Sequence, residues 1–162
     1  MAKESADMLV NLYGCDLEPN LTRPSLEGIR FVRPIAPSRG KVLGFVRENF
    51  SDGWTHECEQ SFVDSPARCW VAVKDGEVVG FACYDATARG YFGPTGVRED
   101  MRKRGIGAAL LKLCLRDMRD MGYGYAIIGW AAQDAIPFYE REVGAKLIEG
   151  WSQEKSVYSH MF

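Results

Sequence analysis

The sequence predicts an α/β domain whose sheet is mixed and largely antiparallel, flanked by helices and splayed at its fourth strand. Three observations predict it. Two apolar, β-prone runs, Cys69 to Val73 and Val78 to Tyr84, are joined by Asp75-Gly76, a strong tight-turn dipeptide, and so read as an antiparallel hairpin. Tyr123 to Trp130, Y-G-Y-A-I-I-G-W, is nearly continuously apolar, as in a strand covered on both faces. Just before it, Leu110, Leu111, Cys114, Leu115 and Met118 form the apolar stripe of a helix, with Lys112, Arg116, Arg119 and Asp120 facing away. This helix is a crossover, which makes the last step of the sheet parallel.

In chain order, residues 1–28 read as an N-terminal extension and 29–162 as the folded domain. The extension holds one apolar patch, Met8 to Tyr13, a short helix or an edge strand, and then a turn-rich stretch with Pro19 and Pro24. Ile29 to Val32 alternates as a first strand before Pro34 and Pro37 break it. Val42, Leu43, Phe45, Val46 and Phe50 lie at approximate helical spacing within Arg39 to Phe50, and Trp54 to Val63 is a second helix carrying Glu57, Glu59 and Phe62. After the hairpin, Gly90 to Val97 is the fourth strand. Its Gly93-Pro94-Thr95-Gly96 removes a ladder donor and weakens the strand, so a bulge or splay is expected. Gly122 stops the crossover helix. A short helix follows with Asp134 as N-cap, Pro137 in the first turn and Gly144 as the stop. Lys146 to Ile148 and Ser156 to His160 are expected as the last two strands, joined through Gly150 and Trp151.

At 162 residues the chain suits one domain with a single core. A hydrophobic fraction of 46% and a charged fraction of 26% are ordinary for a globular protein. The net charge of -2 argues against nucleic-acid binding through the whole surface, so the basic cluster at Arg98 and Arg102 to Arg104 is local. The start is charged and unlike a secretory signal, and no apolar run approaches the ~20 residues of a membrane span. A cytoplasmic protein is expected, with no nucleic-acid or membrane partner. Cys15, Cys58, Cys69, Cys83 and Cys114 are odd in number and lack metal-site spacing. They read as reduced and packed, and no metal site is expected.

The stretch Val97 to Leu111, V-R-E-D-M-R-K-R-G-I-G-A-A-L-L, carries the chemistry. It is a strand end, a basic turn and a helix start. The first N–H groups of a helix lack intrahelical partners, and the aligned peptide dipoles place positive charge there. Gly105 and Gly107 allow a bulky anion close to the backbone, with Arg102, Lys103 and Arg104 beside it. A phosphorylated ligand is favoured. A Walker loop is absent, and a dinucleotide fingerprint would need a third glycine where Leu110 stands. Arg102-Lys103-Arg104-Gly105-Ile106-Gly107-Ala108 fits R-x-x-G-x-G/A and resembles the acyl-CoA pyrophosphate loop of the GCN5-related N-acetyltransferases (GNAT). Phe138-Tyr139-Glu140-Arg141 is similar to that family's second recurrent stretch, F-Y-E-[KR]-x-G-F. Here Gly144 falls five residues after Tyr139 rather than four, and Ala145 replaces the aromatic residue.

The resemblance covers residues 29–162 and implies a GNAT-like fold, acetyl-CoA as co-substrate and direct acetyl transfer to an amine. By family position, Thr95 and Val97 would pair with the ligand's pantetheine arm at the splay, and a backbone N–H near Val97 would face the developing oxyanion. Tyr139 matches the family's tyrosine and would protonate the departing thiolate, as a phenol with an ordinary pKa near 10 can at pH 7. A general base on the fourth strand is excluded, because Ala88 to Val97 holds neither Asp nor Glu. Glu57, Glu59, Asp85 and Asp134 all stay open for that role, directly or through water. Trp54, Phe92 and Trp130 are candidate walls of an acceptor pocket. The expected partner is a small-molecule or peptide amine, and a homodimer is one assembly left open. A non-catalytic acyl-CoA-binding or sensing module and a nucleotide- or NAD-binding protein are the alternatives.

Overall fold

The computed structural model describes residues 4–162. Its centre is the hairpin of β3 (Cys69–Lys74) and β4 (Glu77–Tyr84), paired from Cys69↔Cys83 to Lys74↔Glu77. Asp75 and Gly76 take φ of 51° and 78°, the left-handed pair that a two-residue hairpin turn requires. β2 (Ile29–Val32) adds antiparallel to β3, and β5 (Tyr91–Val97) adds antiparallel to β4. The sheet then turns parallel, because the chain crosses over through α3 (Ile106–Asp120) before returning as β6 (Tyr125–Ala131).

β5 is where the sheet opens. It stays paired with β4 through Val97, but with β6 only at Tyr91↔Ile127 and Phe92↔Ile128. From Gly93 onward the two strands diverge, as the glycine and proline content of this strand implies.

The N-terminal segment departs from expectation. β1 (Ala6–Asn11) is neither a helix nor an edge strand: it pairs antiparallel with β6 on one side and with β7 (Lys146–Leu147) on the other. The seven strands run β2-β3-β4-β5-β6-β1-β7. The expected strand at Ser156 to His160 is instead a 3-10 helix over Val157–His160. Met8 and Val10 are fully buried in the interior position, whereas Ser159, His160 and Met161 are exposed. The C-terminal segment satisfies its backbone locally, through Ser159 N to Ser156 O and Met161 N to Tyr158 O.

Helices cover both faces. α3 buries the predicted stripe together with Ile106 and Ala109, and Gly122, at φ 106°, follows its end. It lies so close that a Cβ on Gly80 would stand 3.1 Å from Ile106 and 3.2 Å from Leu110. α1 (Arg39–Asn49) and α2 (Asp52–Gln60) cover the other face, where Val42, Phe45 and Val46 meet Val71, Phe81 and Cys83. The Ser51 hydroxyl caps α2 by accepting from Trp54 N at 3.2 Å. α4 (Ile136–Val143) carries Pro137 in its first turn and ends at Gly144 with φ 63°. Its N-cap is Ala135, not Asp134; the carbonyls of Ala132 and Ala135 accept the first backbone N–H groups, leaving the aspartate side chain to face a cleft.

The five cysteines are free thiols, four of them buried. Folding brings Cys58, Cys69 and Cys83 to within 4.8 Å of one another, a proximity their spacing in the chain hides. Burial pushes the Cys83 and Cys114 thiols well up, which keeps them protonated and unreactive.

Candidate active site

Where β5 parts from β6, a cleft of about 710 Å³ opens between β5, the start of α3 and α4. Its floor is the open edge of β5. Arg98 N donates to Val79 O on the β4 side, so strand alternation turns the backbone of Thr95 and Val97 to the opposite edge, toward the cleft. Of those groups, the Val97 carbonyl already accepts from Arg102 Nε at 3.0 Å. The Thr95 hydroxyl is likewise engaged, donating to Phe81 O at 3.1 Å. Gly96 between them admits the Phe50 ring, whose Cε atoms would lie 2.6 and 2.8 Å from any Cβ placed there.

The N-terminus of α3 closes one end. Gly105 sits at φ 97°, a left-handed conformation that glycine adopts without strain, and its carbonyl accepts from Ala109 N in the first turn. The N–H groups of Ile106, Gly107 and Ala108 precede that bond and lie among the cleft residues. Around them stand Arg102, Lys103 and Arg23. A Cβ on Gly107 would meet only Val97 and Phe138, at 3.8 and 3.9 Å, so glycine here is not demanded by the protein's own packing.

Tyr139 closes the other end. It projects from α4, packs edge-on to Phe92 with ring centroids 6.4 Å apart, and is 7% exposed. Burial pushes its phenol up to about 12. Beyond it lies a second cleft of about 500 Å³, and Trp54, Phe92, Thr95, Ala135 and Tyr139 border both spaces.

A family model described as the acetyltransferase (GNAT) family matches residues 43–145. The chain belongs to this family. Solved structures agree on the fold. A GCN5-related N-acetyltransferase from Sphaerobacter thermophilus superposes with TM-score 0.69 at 23% identity, over 89% of this chain and 48% of that one. A GCN5-related glucosamine N-acetyltransferase region of a fungal multi-domain β-N-acetylglucosaminidase gives 0.70 at 16% identity, over 89% and 20%. A ribosomal-protein-alanine N-acetyltransferase from Brucella melitensis gives 0.54 at 18%, over 76% and 95%. The chain thus spans from a fifth to about half of the first two structures it resembles. No curated protein matches it by sequence.

Within this GNAT fold, Thr95, Val97, Arg102, Lys103, Gly105, Ile106, Gly107, Ala108 and Tyr139 all border the first cleft. Arg104 does not: it presents its carbonyl to the Ser25 hydroxyl at 2.6 Å. Arg98 is paired with Asp100 at 2.6 Å, outside the cleft. Arg23, in the N-terminal extension and far from the loop in sequence, is a cleft cation that no local pattern flagged. The four candidate carboxylates part company. Glu59 pairs with Arg39 at 2.6 Å on the surface, and the Asp85 side chain is buried, accepting from Gly90 N, the Tyr123 hydroxyl and Arg68. Asp134 borders the first cleft and Glu57 the second. Trp54, Phe92 and Trp130 are all brought to the second cleft. No described helix is long and apolar enough to cross a membrane.

Proposed function

We propose that this protein is an acetyl-CoA-dependent N-acetyltransferase that acylates an amine directly. The observation that carries this reading is the convergence, on one cleft, of an open strand edge, a cationic helix N-terminus and Tyr139. The residues fit the co-substrate. A Cβ at Gly107 would project toward the space that a pyrophosphate needs, and the N–H groups of residues 106–108 with Arg23, Arg102 and Lys103 offer donors and positive charge for it. The Thr95 backbone groups and the Val97 N–H, which face the cleft, suit an amide-bearing arm, which would pair as an added strand.

Acetyl-CoA would supply an activated acyl group on a good leaving thiolate. The protein's part is to orient it, exclude water and manage protons. Tyr139, pushed up to about 12 by burial, is protonated at neutral pH and borders both clefts, so it serves as the proton donor to the thiolate. The second cleft holds the acceptor. Relatives named for glucosamine and for ribosomal-protein alanine share an amine as the atom acylated, which supports an amine here.

Thermal unfolding with CoA, acetyl-CoA, NAD and ATP at equal concentrations tests the reading. A ligand at 100 times its dissociation constant adds about 2.7 kcal/mol, enough to raise the midpoint by a few degrees. A shift with the CoA species alone, and release of free thiol with an amine present, are expected. A CoA shift without thiol release from any amine would point to a sensing module, and a shift with NAD instead would defeat the assignment.

A further inference from the structure

We propose that the second cleft takes a primary amine carried on a compact, uncharged, apolar body, with Glu57 as the carboxylate that seats the ammonium and accepts its proton. This rests on the acetyltransferase reading and names the acceptor class of the same site.

The lining carries the inference. Among the described residues bordering this cleft, Glu57 is the one with a formal charge at neutral pH. The remaining large walls are Trp54, Phe92, Trp130 and Tyr158, with Met161 and Pro94. An acceptor bearing its own carboxylate or phosphate would meet no cation here and would face Glu57. An ammonium finds both a carboxylate and aromatic faces, the two surroundings that favour a cation. A volume of about 500 Å³ suits a small molecule.

The walls are preorganised. Trp130 holds φ at 41°, a costly conformation for a bulky residue, and is fixed there by donating its N–H to Asp7 Oδ1 at 2.8 Å. Asp7, itself 3% exposed, also accepts from the Tyr91 hydroxyl at 2.9 Å. The Trp130 ring rests against Trp151 and Tyr158, with centroids 5.4 and 5.0 Å away. The N-terminal strand therefore positions the acceptor wall, and the C-terminal turn completes it.

Glu57 is half-buried. Burial pushes its carboxyl up, and the Thr87 hydroxyl works against that. The titratable and charged groups facing it are Tyr139 and Tyr158 across the cleft, and His56, Arg68, Asp85, Arg89 and His160 around the adjoining space that it also borders. Arg68 is occupied by Asp64 and Asp85, at 2.6 and 3.3 Å. In the transfer, Glu57 takes one proton from the ammonium, and the freed lone pair forms the N–C bond as the C–S bond breaks. The thiolate takes the Tyr139 proton, and the second proton shed by the nitrogen restores Tyr139. Glu57 finally releases its proton to solvent, so one amide, one thiol and one proton result.

Phenethylamine is the probe. It is expected to quench tryptophan fluorescence on binding and to be acetylated, whereas phenylalanine, which adds only an α-carboxylate, is at least about tenfold poorer. Glu57→Gln should lower kcat/KM at pH 7 by about 100-fold with the CoA-induced midpoint shift intact, and should recover as pH approaches the pKa of the free amine. Thr87→Val should move the acid limb of the pH profile to higher pH, because the carboxylate loses a donor. Equal use of phenylalanine, an unchanged rate and pH profile in Glu57→Gln, or no phenethylamine binding by a protein that still responds to CoA would each overturn the acceptor assignment alone. Absence of any CoA response would defeat the acetyltransferase reading as well.

Discussion

Tyr139 combines deep burial with a place on the wall of the first cleft. Desolvation alone holds its phenol near 12, and edge contacts with Phe92 and Phe138 fix the ring. If it donates to the thiolate, Tyr139→Phe should lower kcat by about 10²–10⁴-fold, the usual contribution of a positioned acid. CoA affinity, measured calorimetrically, should be unchanged. The F-Y-E-R context made this residue legible in the sequence, because the neighbours and not the tyrosine itself mark it. Glu57 was legible only as one of four carboxylates. What separates it from Glu59 two residues away is the direction each takes from α2, toward the cleft or toward Arg39.

At the scale of elements, the turn into α3 is the feature with the most specific consequence. A Cβ at Gly107 makes only ordinary contacts with Val97 and Phe138. Gly107→Val should therefore keep a near-native midpoint while CoA binding becomes undetectable by calorimetry, as the branched side chain fills the approach to the helix N-terminus. Arg23 and Arg102 reach the same end of the cleft from different segments. Arg23→Glu and Arg102→Glu should each weaken CoA by about tenfold or more at low ionic strength, with the deficit shrinking in 0.5 M salt as screening shortens to about 4 Å. A salt-independent loss would mean that packing, not charge, was removed. That Arg102, Lys103 and residues 105–108 would gather at one helix start was readable because helix termini are local features, whereas Arg104 lies outside the cleft. Arg23 was not, since only the course of residues 12–28 across the molecule brings it there.

The whole molecule depends on a strand from its first residues. Met8, Val10 and Leu12 are fully buried, and β1 lies between β6 and β7. Burying each such side chain is worth roughly 1.5–3 kcal/mol, against a net stability of about 5–15 kcal/mol for a domain. Removal of residues 1–12 should leave the protein unfolded or aggregated, read as loss of a cooperative melt, because two strand edges lose their partner. Buried phenols set the alkaline limit. Tyr84, Tyr91 and Tyr139 are each pushed up to about 12, chiefly by desolvation, and Tyr158 is pushed up as well. In the unfolded chain these groups ionise near 10, so the unfolded state sheds protons first. Stability should begin to fall near pH 9, where the thiols of the unfolded chain ionise while buried Cys83 and Cys114 stay protonated, and fall more steeply between pH 10 and 12 as the phenols follow, as denaturant midpoints across that range would show.

The sequence by itself determined the hairpin at Asp75-Gly76, the crossover helix, the interruption in β5 and the glycine turn into α3. Each rests on short-range rules of turn conformation, periodicity and helix termini that act within a few residues. Tertiary structure alone decided which segment fills the place beside β6. Met8 to Tyr13 and Ser156 to His160 both read as candidate strands, and the choice turns on side chains that only the assembled sheet can bury. The same choice left Tyr158 and Met161 free to wall the second cleft and set Asp7 under Trp130. The second cleft is thus built from both ends of the sequence, through contacts that no local pattern encodes.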